Sequence, residues 1–195
     1  MPVQTNAERG RAARAHLLAA ARDLIGEIGW NAVSTRILAE RAGVRSGLVH
    51  YHFESLQALL RQATLEAMGE MLDGTTALLT AAENPADGID AMLAELDRYT
   101  GEDPASLLFI EAYLAATRDP LLHERMKALM LDFRGTLAAA LGRAGHPAPA
   151  DAAAFTMAVF DGHLLHKGLD PGLSASRIAP LLRQITSTAT KGARE

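Results

Sequence analysis

Two groups of side chains in this sequence are arranged so that they could do chemistry. The larger is the run Val33-Ser-Thr-Arg-Ile-Leu-Ala-Glu-Arg-Ala-Gly-Val-Arg-Ser-Gly-Leu-Val-His-Tyr-His-Phe53, which gathers guanidinium, hydroxyl, phenol and imidazole groups around Gly43. An arginine can fork onto the O6 and N7 of a guanine, and hydroxyl, phenol and imidazole groups can bond phosphate oxygens. The chemistry on offer there is that of holding nucleic acid. The smaller group is His163 and His166, three positions apart and near Asp161. Such a pair can share a metal ion or hydrogen-bond within an interface, and no third ligand stands beside it in the sequence. His50 and His52 pose the same question and lack a third ligand too.

Catalytic frames are missing from the inventory. There is no glycine-rich phosphate loop, no H-E-x-x-H, no G-x-S-x-G and no recognisable frame of paired acids. The chain has no cysteine, which removes disulfides, thiolate zinc sites and cysteine nucleophiles. No catalytic residue, cofactor or metal is therefore expected. An enzyme remains the alternative class, and a helical module that binds protein in place of DNA is a third.

The elements that must position these groups are helical. Leu17, Ala21, Leu24 and Ile28 recur at steps of four, three and four, which predicts an amphipathic helix over 11–28. Gly29 follows as a left-handed helix stop, and Trp30 can pack back on the helix just ended. Ser34 or Thr35 can cap a second helix running to about Ala42, with Ile37, Leu38 and Ala42 as its apolar side. Gly43 ends it, and Ser46 is a possible cap for a third short helix through His52 or Phe53. A long helix is expected from about Leu56 to beyond Leu72. Breakers at Asn84-Pro85, Asp103-Pro104, Asp119-Pro120, Pro147 to Pro149 and Asp170-Pro171-Gly172 divide the rest into helices near 87–99, 105–117, 121–143, 150–167 and 175–190. No strand alternation is sustained, so the fold class is all-α with about nine helices.

Net charge is -4, but it is unevenly spread. Residues 1–65 carry eight arginines against five acids, a surplus of three, while the remainder carries eleven basic groups against eighteen acids. A basic head on an acidic body is the pattern expected when only one end meets phosphates. Neither a signal-peptide core nor a run of about 18 apolar residues is present, so no membrane partner is expected and the cytoplasm is the expected location.

The segment STRILAERAGVRSGLVHYHF, after a helix ending in Gly29-Trp30 and before ESLQALL, resembles the DNA-binding domain of the tetracycline-repressor (TetR) family. The resemblance covers residues 10–65. LLFIEAYLAATRDPLLHERMKALMLDFRGTLAAAL and FDGHLLHKGLDP also look like one common C-terminal type in that family. The resemblance implies a helix-turn-helix head over 10–55, with its motif at 34–53, and a ligand-binding and dimerisation body over 56–195. It implies a homodimeric, sequence-specific regulator of transcription, a repressor that leaves a palindromic double-stranded DNA operator when a small-molecule effector binds. It places Arg36, Ser46, Gly47, Leu48 and His50 at base edges, and Tyr51 and His52 on phosphates. Thr35 and Arg45 are phosphate candidates through cap geometry and charge. The lysine that the family commonly carries near the start of the fourth helix is replaced here by Leu56.

In the body, Glu111 sits on a helix apolar nearly all round and needs a partner, either a ligand or an arginine such as Arg118 or Arg134. With it, Phe109, Tyr113, Met126, Met130, Phe133, Phe160 and His163 are candidate pocket residues, and Phe155 and Met157 could join them. The alternative is ordinary core. The segment 150–167 is apolar on more than one face, so Phe155 and Val159, with Ile178, Leu182 and Ile185, are candidates for a two-fold interface.

Overall fold

The computed structural model describes residues 5–187, and every regular element among them is helical. The order is α1 (Asn6–Ile28), a single 3-10 turn (Trp30–Ala32), α2 (Thr35–Arg41), α3 (Gly47–His52), α4 (Leu56–Ala81), α5 (Pro85–Leu96), α6 (Pro104–Ala116), α7 (Pro120–Arg143), α8 (Pro149–Lys167) and α9 (Ala175–Thr186). The all-α expectation holds, and the last three residues of the expected 175–190 helix lie outside the described residues. No helix among the described residues is long and apolar enough to cross a membrane.

Helix starts differ from the sequence reading for one recurring reason, local capping. Helix α1 begins at Asn6, five residues before the expected start at residue 11. Thr5 and Glu8 form a capping box there: the Thr5 hydroxyl accepts the Glu8 N–H at 3.2 Å, and the Glu8 carboxylate accepts the Thr5 N–H at 2.7 Å. Prolines 85, 104, 120 and 149 are first residues of helices, where the missing N–H costs nothing. Asn84 and Asp103 cap α5 and α6 by accepting the N–H groups of Asp87 and Ser106, both at 3.0 Å.

The chain packs as two units, drawn differently from the sequence boundary at residue 56. One holds the described residues up to Met68 together with Asp103–Arg125, and the other holds Gly69–Glu102 with the described residues from Met126 onward. In the first unit α1 is the central element. Leu17, Leu24 and Ile25 from α1, Leu38 from α2 and Leu59 and Leu60 from α4 are almost fully buried. Helix α6 crosses α1 so closely that a Cβ on Gly26 would come within 2.1 Å of the Pro104 carbonyl oxygen.

The core of the second unit is built from Leu72, Leu79, Ile89, Met92, Leu93, Phe133, Leu137, Leu141, Met157, Phe160 and Leu182. Arg183 on α9 binds Asp87 and Asp90 on α5, with Nε 2.9 Å from Asp90 Oδ2. At the far end of α5, the Lys167 ammonium lies 2.7 Å from Asp97 Oδ1. That bond holds the Asp97 carboxyl below the usual carboxylate range.

Candidate nucleic-acid interface

The second helix is fixed at both ends by hydrogen bonds that leave its outer side chains unspent. The Ser34 hydroxyl accepts the Ile37 N–H at 3.3 Å, so the capping residue is Ser34 and Thr35 becomes the first helical residue. Arg36 follows, exposed to solvent. At the other end the Val44 N–H reaches the Ala39 carbonyl at 3.0 Å and the Gly43 N–H reaches Glu40 at 3.1 Å. This is the paired bond pattern of a Schellman stop, and it requires the positive φ of 66° that Gly43 adopts.

Helix α3 is held by one inward residue. Val49 is fully buried, and at 100° per residue the positions opposite it are Gly47 and Tyr51, flanked by Leu48 and His50. Tyr51 is 78% exposed, and Arg45, Ser46, Gly47 and His50 are exposed as well, with Leu48 half-buried. Ser46 does not cap α3 as the spacing suggested. It takes a helical conformation with no side-chain cap bond, so its hydroxyl points to no backbone group of that helix.

His52 is turned the other way. It falls 60° from Val49, its Nε2 is buried, and a Cβ on Gly10 of α1 would lie 3.8 Å from its Cε1. The ring packs edge-on against Tyr51, with centroids 4.9 Å apart. Phe53 closes α3 against α1, where the Arg14 guanidinium stands 5.1 Å from the ring centroid. The Ser55 hydroxyl accepts the Ala58 N–H at 3.1 Å and caps α4, which leaves Leu56 half-buried at the first helical position.

The head's arginines divide by partner. Arg41 forms a two-pronged pair with Glu27 at 3.0 and 2.6 Å, Arg61 binds Asp119 at 2.8 Å, and Arg22 lies 3.5 Å from Glu66. The Glu27 carboxyl is held below its ordinary range by the Arg41 bonds. Arg36 and Arg45 remain exposed on the elements that flank the turn.

The expected pocket residues do not gather in one unit. Phe109, Glu111 and Tyr113 belong to the first, whereas Met126, Met130, Phe133, Phe160 and His163 belong to the second. Glu111 meets neither Arg118 nor Arg134: its Oε2 accepts the Trp30 backbone N–H at 2.9 Å. Met126, Phe133 and Phe160 are buried, and Met130 borders the core. His163 is 2% exposed, with Nε2 3.4 Å from Asp97 Oδ1. Burial pushes its imidazole below the ordinary value against the pull of the Asp97 charge. Asp161 is exposed on the opposite side of α8 from His163, and His166, 60° from His163, lies exposed at the edge of the buried face, so the sequence cluster does not share one environment. Among the described residues no group of three or more histidine or acidic side chains could hold a metal ion.

The candidate interface residues also separate. Phe155 and Ile185 are exposed, and Val159 and Ile178 are half-buried against their own core. Leu182 is 1% exposed inside that core, so it packs within its own subunit.

The geometry of the head has a counterpart in known proteins. A family model described as bacterial regulatory proteins, tetR family, matches residues 17–63, and the model for the tetracyclin repressor-like C-terminal domain matches residues 83–188. The chain belongs to the TetR family. An uncharacterised HTH-type transcriptional regulator of Mycobacterium tuberculosis is 27% identical over 94% of this chain and 98% of its own length. The class A tetracycline repressor of Escherichia coli is 44% identical over 52 residues, 27% of this chain and 24% of that protein. A TetR-family transcriptional regulator of Streptomyces coelicolor shares the fold, with a TM-score of 0.77 at 20% identity over 90% of this chain and 95% of its own. As a TetR-family member the chain is a DNA-binding regulator of transcription, and α2, the Gly43 turn and α3 lie within the matched residues 17–63.

Two features of the head escaped the sequence reading. The inward turn of His52 depends on helix phase in an element of six residues, too short to show a period. The early start of α1 did carry a signal, the Thr5-x-x-Glu8 spacing of a capping box.

Proposed function

We propose that this TetR-family chain is a cytoplasmic homodimeric repressor that reads a palindromic operator and releases it when a small molecule occupies the second unit. The observation that carries the reading is the exposed face of α3, anchored by Val49 and flanked by the exposed Arg36 and Arg45. Arg36 forks onto a guanine, while Ser46, Gly47, Leu48 and His50 meet base edges in the major groove. Thr35, Arg45 and Tyr51 hold phosphates, and these bonds set register without carrying sequence information. His52 supports α3 from behind, against α1. Exposed apolar residues on α8 and α9, Phe155 and Ile185 among them, pair two copies so that the heads match two half-sites. The effector acts by binding one conformer of the dimer better than the other, so operator and effector weaken each other's binding by the same factor.

Selection of bound sequences from a random duplex pool tests the reading. An enriched palindrome, with discrimination at one base pair falling by about 1–3 kcal/mol in Arg36→Ala, is the expected result. No enrichment with the wild-type chain would overturn it.

A further inference from the structure

We infer that the first two turns of α1 extend the operator interface, with Arg9 and Arg11 holding backbone phosphates beside the groove that α3 enters. The inference rests on the DNA-reading assignment of α3 given above. The sequence pattern starts the helix at residue 11, but the Thr5–Glu8 capping box starts it at Asn6, so both arginines project from folded helix. Their place is fixed by Gly10. A Cβ there would lie 3.8 Å from His52 Cε1, so the Gly10 side of α1 faces the last turn of α3. Arg14, one turn further along nearly the same line, stands over Phe53 at the end of α3. At 100° per residue, Arg9 and Arg11 lie on either flank of that line, and both are exposed.

Charge points the same way. Glu8 is the acid closest in sequence, and its carboxylate is occupied by the Thr5 N–H and hydroxyl, which hold its carboxyl below the usual range. Arg9 donates to the neutral amide oxygen of Asn6, so its positive charge is not cancelled. The arginines with carboxylate partners, Arg22, Arg41 and Arg61, lie further along the chain. At the end of α1 that adjoins α3, Arg9, Arg11 and Arg14 therefore outnumber the single acid, Glu8. They supply positive charge that Leu56 cannot supply at the start of α4. Phosphates of the operator duplex are the fitting partner, because α3 brings that duplex to this end of the unit and an arginine fork matches a phosphate.

Salt titration of operator binding tests this with the full chain and the duplex selected from the random pool. The variants are Arg9→Ala, Arg11→Ala, the double variant, the double Arg→Lys variant, and Arg98→Ala on the second unit as a charge-matched control. Removing one arginine–phosphate pair should flatten the slope of log K against log salt by about 0.9, giving about 1.8 in the double alanine variant. The lysine variant should keep the wild-type slope, and preference for the operator over a scrambled duplex should persist in all. A double alanine variant that shifts the slope no more than Arg98→Ala does would overturn the inference. So would a loss of operator preference without a change in slope. A wild-type chain that selects no operator would instead sink the reading of α3, and this inference with it.

Discussion

Glu111 on α6 accepts the backbone N–H of Trp30 through Oε2 at 2.9 Å, and this bond fastens α6 to the turn that ends α1. The turn needs it because Gly29 stands at φ 84° and ψ 152°, a conformation open in practice to glycine alone and not the left-handed helical stop that the sequence suggests. Trp30 is buried beside it, and its indole N–H donates to Gln57 Oε1 on α4 at 3.0 Å. Backbone, indole and carboxylate together join α1, α4 and α6 within one unit.

Loss of that carboxylate should be visible through Trp30, the single tryptophan of the chain. Glu111→Ala is expected to lower the stability reported by Trp30 fluorescence in urea by about 1.5–3 kcal/mol, the usual range for a hydrogen bond to a charged group. Glu111→Gln keeps an acceptor and should lose less. A Cβ on Gly29 would stand 3.5 Å from the Glu111 carboxylate, an ordinary approach, so Gly29→Ala should cost about 1–3 kcal/mol through backbone strain. Equal stability of Glu111→Ala and wild type would remove the bond from the account.

In the second unit, Gly101 and Gly168 bring backbone against backbone. A Cβ on Gly101 would lie 2.3 Å from the Gly168 nitrogen, and its φ of 82° disfavours any side chain. A Cβ on Gly168 would lie 3.0 Å from the Gly101 carbonyl oxygen. Gly101→Ala should therefore cost at least about 2 kcal/mol and more than Gly168→Ala, measured by far-UV circular dichroism in denaturant. The reverse order would mean that the crossing can open at little cost.

The pH dependence of stability should report His163. Burial holds its pKa below the ordinary 6.5, so at pH above 6.5 the imidazole is neutral in both folded and unfolded chains and costs nothing. As pH falls below 6.5 the unfolded chain takes up a proton that the folded chain refuses. Stability then drops, by at most about 1.4 kcal/mol per pH unit, until the folded-state pKa is passed. Asp97 and Lys167 are the charged groups beside the ring, and the Asp97 carboxyl is itself held below its usual range. His163→Gln should lose this part of the slope; a variant profile parallel to that of wild type would contradict the assignment.

Which of these relations the sequence could reveal depends on the distance over which each is determined. The α1 stripe of Leu17, Ala21 and Leu24 is local periodicity, and all three are buried; Ile28, at its end, is exposed. Ser34 and Gly43 are fixed by bonds within a few residues and were legible as cap and stop. The partner of Glu111 was not legible, because Trp30 lies 81 positions away and a backbone N–H leaves no mark on residue type. His163 and His166 lie only 60° apart around α8, yet one is buried and the other exposed, because the edge of the packed core falls between them and that edge is set by other helices.

Leu181 and Leu182 are neighbours in sequence with opposite environments, and they separate folding from assembly. Leu182 is 1% exposed within the second unit's core, so Leu182→Ala should cost about 2–5 kcal/mol in urea. Leu181 is 64% exposed on α9, and Phe155 on α8 is 47% exposed. A charge at either position meets no core in the single chain, so Leu181→Glu and Phe155→Glu should leave denaturation of the subunit within about 0.5 kcal/mol of wild type. In a pair of chains joined through α8 and α9 the same carboxylates would be buried without partners, at a cost of several kcal/mol. Sedimentation velocity of the double glutamate variant should then show monomer at concentrations where wild type sediments as dimer. A glutamate variant that still sediments as dimer would move the subunit interface away from these two residues, and the spacing of the heads on an operator would have to be set by another surface.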